Sequence, residues 1–98
     1  MPRYVIQRKF SVTEDQMPMI GRRSRQIIED EFPDVTWIHS HITVDPDGTV
    51  RSFCLYEASG LDAIRRHSEK LGYHIVDKVY EVAGDVTPED FPPVDETV

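Results

Sequence analysis

The alternation of apolar and polar positions divides the chain into six elements. Arg3 to Phe10 (RYVIQRKF) is short, rich in β-formers and near-alternating, which predicts a strand. Two faces compete for burial there: Val5 with Gln7, or Ile6 with Arg8 and Phe10. From Ser11 to Phe32 the apolar positions fall at helical spacing, with Ile20, Ser24, Ile27 and Ile28 as the inner stripe and Phe32 closing it. Thr13 and Asp15 are the candidate caps, and Thr13 with Gln16 has capping-box spacing. Pro18 belongs in the first turn, where its missing N–H is harmless, so the helix starts near Asp15 and Pro33 ends it. Gly21 in the helix interior lowers its stability by up to ~1 kcal/mol relative to alanine and marks a site of close packing.

Asp34 to Glu57 reads as two strands around a tight turn, Asp45-Pro46-Asp47-Gly48. Proline presets φ for a type I turn and glycine takes the positive φ that follows, so the hairpin closes with a glycine bulge and a defined register. With strict period-two alternation, Ile38, Ser40, Ile42 and Val44 share one face and Trp37, His39, His41 and Thr43 the other. On the returning strand Arg51, Phe53 and Leu55 alternate with Val50, Ser52, Cys54 and Tyr56. The aliphatic face fits beneath helices. The other unites Trp37, His39, His41, Cys54 and Tyr56 in one mixed patch, the expected interface or site. Ser59 then starts a second helix with Asp62 at its third position, an inner stripe of Leu61, Ile64, Ser68 and Leu71, and Gly72 as its stop. Ile75 to Val82 is the last strand.

The order β-α-β-β-α-β with one central hairpin is the ferredoxin-like α+β pattern: a four-stranded antiparallel sheet with both helices on one face. Residues 1–83 form this domain, and 84–98 an acidic, proline-rich tail that is irregular or else wraps a partner subunit through Phe91. The other sheet face stays open. A small domain does not leave such a surface bare, so face-to-face homodimerisation into an α/β-barrel-like assembly is expected.

Composition narrows the function. The net charge is -7, but Asp85, Glu89, Asp90, Asp95 and Glu96 of the tail account for -5, so residues 1–83 are nearly balanced. A nucleic-acid binder wants a basic face, and the one basic cluster, Arg22, Arg23 and Arg25, reads as a solvated helix face. The longest uncharged run, Val35 to Val44, falls far short of the ~20 residues of a membrane span. One cysteine, no asparagine and no signal-peptide pattern fit a reducing cytoplasm. No phosphate loop, dinucleotide fingerprint, nucleophile elbow or zinc-finger spacing occurs, which leans away from an enzyme.

The candidate chemistry lies on the hairpin. His39 and His41, two residues apart on one face, are placed to chelate a divalent transition metal, and imidazole suits nickel, zinc and copper. Two ligands are too few, so a two-fold axis supplies a second pair, with His67 or Asp45 as further donors. The alternative is two interface histidines bonded to their neighbours. His67 and His74 bracket the end of the second helix, where a solvated imidazole favoured by the dipole is the ordinary reading. Cys54 is a buried inert thiol or, less favoured, half of a Cys-His pair. Arg8 in a central strand wants a carboxylate, Glu57 or Glu81, or an anionic ligand. A second reading is a small-molecule binder or cofactor-independent enzyme, with a pocket on the same face lined by Arg8, Trp37, Cys54 and Tyr56 and a histidine as general base.

The opening Pro2-Arg3-Tyr4-Val5-Ile6-Gln7-Arg8, the Val35 to Ser40 strand, the Phe53-Cys54-Leu55-Tyr56-Glu57-Ala58 strand, Ala63-Ile64-Arg65 and the closing Asp77 to Val82 together resemble a family. It is the small bacterial ferredoxin-like proteins grouped as a nickel-binding, otherwise uncharacterised domain family, over residues 2 to 82. The resemblance implies a homodimer and, in the metal-binding branch, nickel held by histidines and carboxylates. His39 matches a second-strand histidine of the family, and His67 lies where that branch carries another. At the first-strand acid and histidine of that branch stand Ile6 and Arg8, which are not ligands.

Overall fold

The computed structural model describes residues 1–93. The chain folds as β1 (Arg3–Phe10), α1 (Met17–Glu31), β2 (Thr36–Val44), β3 (Val50–Glu57), α2 (Leu61–Leu71) and β4 (His74–Glu81). The antiparallel sheet has the order β2-β3-β1-β4, with both helices on one side: the ferredoxin-like α+β fold. No helix among the described residues is long and apolar enough to cross a membrane.

Local signals set the boundaries. Thr13 and Gln16 form the expected capping box, the Thr13 N–H donating to Gln16 Oε1 at 2.9 Å, but the turn they close is a short 3-10 helix, Glu14–Gln16. α1 follows it with Pro18 in its first turn. In the hairpin turn the Gly48 N–H donates to the Asp45 carbonyl at 2.8 Å, and Gly48 takes φ +89°, a conformation glycine reaches without a Cβ clash. Ser59 does not cap α2. Gly60 does so in extended conformation, and the Ser59 hydroxyl donates to Asp34 instead. At the end of α2, Gly72 at φ +69° is followed by Tyr73 at φ +63°, unusual for a side-chain-bearing residue. Tyr73 is held there by the Ser11 N–H on its carbonyl at 2.9 Å and by Arg23 over its ring. Arg23 also donates to the Leu71 and Lys70 carbonyls, so this member of the basic cluster closes the C-terminus of α2.

The core corrects the expected face assignment. Beneath the helices lie Tyr4, Ile6, Arg8 and Phe10 of β1 and Val50, Ser52, Cys54 and Tyr56 of β3. Phe53 and Leu55 face the open side with Val5 and Gln7, Leu55 across the ladder from Val5 and Phe53 from Gln7. β3 is a central strand, and its register against β1 pairs Cys54 with Ile6 and Ser52 with Arg8. The face that buries Ile6 and Phe10 therefore carries the polar set down with it. Ile20, Ser24, Ile27 and Ile28 of α1 and Ile64, Ser68 and Leu71 of α2 complete this core as their stripes predict. Beyond β4, Arg3 pairs with Asp85, and a short turn at Pro88–Asp90 leaves Phe91 exposed. Asp95 and Glu96 of the tail lie outside the described residues.

Candidate functional site

A β-bulge divides the expected single patch in two. Trp37 pairs with Tyr56, but His39 pairs with Leu55, so Ile38 is one residue too many for the ladder. Strict alternation fails there, and Trp37 turns to the helix side, where its indole N–H donates to Ser40 Oγ at 2.8 Å. His39 and His41 stay on the open side, across from Leu55 and Phe53. Both are exposed, and their rings stand edge to face with centroids 5.2 Å apart. Asp45 accepts from Arg51 Nε at 3.0 Å and is engaged in the hairpin. Among the described residues, no three His, Cys, Asp or Glu side chains cluster closely enough to hold a metal ion.

His67 does not join them. It sits on the inner face of α2 with no exposed surface, on the far side of the sheet. Its Nε2 lies 3.1 Å from Ser24 Oγ, its Nδ1 has no partner, and its ring packs against Tyr56 and Phe32. Burial, and then the Arg8 charge, pull its pKa down to about 4, so the imidazole is neutral at pH 7. The solvated helix-end histidine of the sequence reading is thus replaced by a core residue, because its position on α2 falls within the inner stripe.

Arg8 is the centre of the buried polar group. Its side chain is 1% exposed. Nε donates to His74 Nε2 at 3.1 Å, Nη1 to Tyr56 Oη at 3.0 Å and Nη2 to Ser68 Oγ at 2.8 Å. Neither Glu57 nor Glu81 is its partner. Glu57 falls on the opposite side of β3 from Tyr56, and Glu81 lies across from Tyr4 at the far end of β1. All three acceptors are neutral. Burial pushes the Tyr56 hydroxyl well above the usual tyrosine range, and burial with the Arg8 charge lowers His74. Cys54, also buried, donates weakly to Ser52 Oγ at 3.3 Å and is inert by position.

Between α1 and the sheet lies a cavity of about 340 Å³, lined by Arg8, Trp37, Cys54 and Tyr56 together with apolar side chains of α1 and β2. The four pocket residues of the sequence reading are thus brought together, but beneath the helices and apart from His39 and His41. The buried polar residues it missed are Ser24, which lines the cavity, His67, bonded to Ser24, and Ser68 and His74, bonded to Arg8. Two of them had a signal: Ser24 and Ser68 interrupt otherwise apolar helix stripes, where a hydroxyl needs a buried partner.

Residues 4–82 match the family model described as nickel responsive protein SCO4226-like. Among solved structures, SCO4226 from Streptomyces coelicolor A3(2) is 24% identical, with 86% of this chain and 99% of that one covered and a TM-score of 0.62. The C-terminal domain of the MgtC protein from Mycobacterium tuberculosis is 13% identical, with 86% and 88% covered and a TM-score of 0.60. At these identities the two structures share the fold with this chain. No curated protein matches it.

Proposed function

This chain belongs to the nickel responsive SCO4226-like family, and from that premise we propose that it is a homodimeric protein binding a divalent transition ion, nickel first, through His39 and His41 of each subunit. The observation that carries the reading is the pair itself: two exposed imidazoles on one strand face, 5.2 Å apart, with no hydrogen-bond partner among the described residues. Such nitrogens are free to ligate, and neutral imidazole is a good donor to nickel, copper and zinc. One pair is half a site. An isologous two-fold axis across the open face would bring the second. Val5, Phe53 and Leu55 lie half-buried on that face, and a second copy would cover them. Ile6 and Arg8 turn into the core, so the ligand set rests on β2 rather than on the first strand. His67, on the other side of the sheet, has no part in it. A single buried thiol, Cys54, suits the reducing cytoplasm in which we place the protein.

The test is metal-dependent melting of tag-free protein. An ion at about 100 times its Kd stabilises the native state by ~2.7 kcal/mol, a rise of roughly 10 °C for a domain of this size. That rise is expected for wild type with nickel and is lost in His39→Ala/His41→Ala. No shift with nickel, zinc or copper, or an equal shift in the double variant, would retire the reading.

A further inference from the structure

The open face does not account for the buried polar cluster on the other side of the sheet. A guanidinium is cationic at every accessible pH, and burying a charge without an opposite one is costly. Arg8 is buried, and its three acceptors are neutral. Of its five N–H groups, one per nitrogen is committed, which leaves one hydrogen on each terminal nitrogen. That is the number a bidentate carboxylate takes. Arg8 also lines the cavity under α1.

The cavity sets the rest of the ligand. At about 340 Å³ it is at the small end of the range for ligand sites. Phe10, Ile20, Trp37, Ile42 and Leu71 give it apolar walls. Its open side is the edge of the sheet: on the helix side of β2, Trp37 and Ser40 are only half-buried and Ile42 is exposed. A small anion with a hydrocarbon body fits this arrangement, charge at the floor and body against the walls. A fully hydrated anion such as inorganic phosphate would gain nothing from those walls.

We propose that the space beneath α1 binds a small apolar organic carboxylate, its carboxylate on Arg8 and its body against Phe10, Ile20, Trp37 and Ile42. The Tyr56 hydroxyl and Ser68 hold the guanidinium in place.

Trp37 is the single tryptophan of the chain and lines the cavity, so its emission reports occupancy. The probes are benzoate, phenylacetate and hexanoate, with benzamide as the uncharged counterpart of benzoate. We expect a saturable change in emission, and a rise in melting temperature, with at least one carboxylate up to about 10 mM, tenfold above the Kd of a weak ~1 mM site. Benzamide should bind at least about tenfold more weakly, the cost of losing one charge-assisted contact. Gly21→Leu fills the cavity without touching Arg8. Gly21 lines the space and is not the site of close packing expected from the sequence, since a Cβ built there meets nothing within 4 Å, and leucine favours the helix. It should fold and lose carboxylate binding by about tenfold or more. Arg8→Met, where it folds, should do the same. No saturable response to any of the three carboxylates, equal binding of benzamide, or undiminished binding by Gly21→Leu would each overturn the proposal.

Discussion

His67 shows how one buried side chain ties stability to pH. Its folded pKa of about 4 lies below the ordinary 6.5 because burial, and then the Arg8 charge, oppose the imidazolium. As pH falls, the unfolded chain takes up the proton first. The stabilisation is therefore complete above pH 6.5 and is lost progressively between 6.5 and 4. Over the whole window the loss is on the order of 2–3 kcal/mol, and His74 is shifted in the same direction. Urea unfolding at pH 7 and at pH 5 should show a lower midpoint at pH 5, in a range where ordinary carboxylates are still mostly ionised. His67→Phe, which fills the same space without a titrating group, should remove most of that difference. A His67→Phe variant with the wild-type pH dependence would place the proton on another group.

At the scale of elements, the bulge at Ile38 decides what the hairpin presents. Period-two alternation puts Trp37 beside His39. The extra residue puts them on opposite faces, Trp37 against Tyr56 and His39 against Leu55. Deleting Ile38 would restore alternation and force a choice: Trp37 leaves the helix side, or His39 and His41 enter it. Keeping the hairpin register costs less than burying two imidazoles, so Trp37 should be expelled. The expected loss is roughly 2–3 kcal/mol in urea unfolding, since a half-buried indole leaves a gap where it stood. The emission maximum of Trp37 should move to the red. A deletion variant with wild-type stability and emission would show that Ile38 does not set the facing of the strand.

For the whole molecule the unanswered surface is the open side of the sheet. Leu55 is at its centre, across from Val5 on one side and His39 on the other. If two copies meet there, Leu55→Glu places like charges against each other in a drying interface. Sedimentation should then show wild type as a dimer and Leu55→Glu as a monomer. The helix-side core, on which Leu55 has no contact surface, should keep its fold by circular dichroism. The nickel-dependent rise in melting temperature should fall with the dimer, because each monomer retains only two nitrogens. A Leu55→Glu protein that remains dimeric would move the interface to another face.

The elements themselves were determined by sequence alone. Alternation, helical periodicity, Pro18, Pro33, Gly48 and Gly72 are local signals, and each acts through backbone conformations that its residue type favours or forbids. They fix the order βαββαβ, and the handedness of crossovers then puts both helices on one face. Period two defines two sides of a strand but does not say which side is covered. That was decided by packing: Ile6 and Phe10 need the helix side, and the ladder between β1 and β3 carries Arg8, Ser52, Cys54 and Tyr56 there with them. The bulge was equally out of reach, because a one-residue slip leaves no mark in composition and shows only against the partner strand. The same holds for His67, Ser68 and His74 around Arg8, which lie some sixty residues from it along the chain. Sequence named the residue types that chemistry could use, and only the tertiary structure decided which of them share a face.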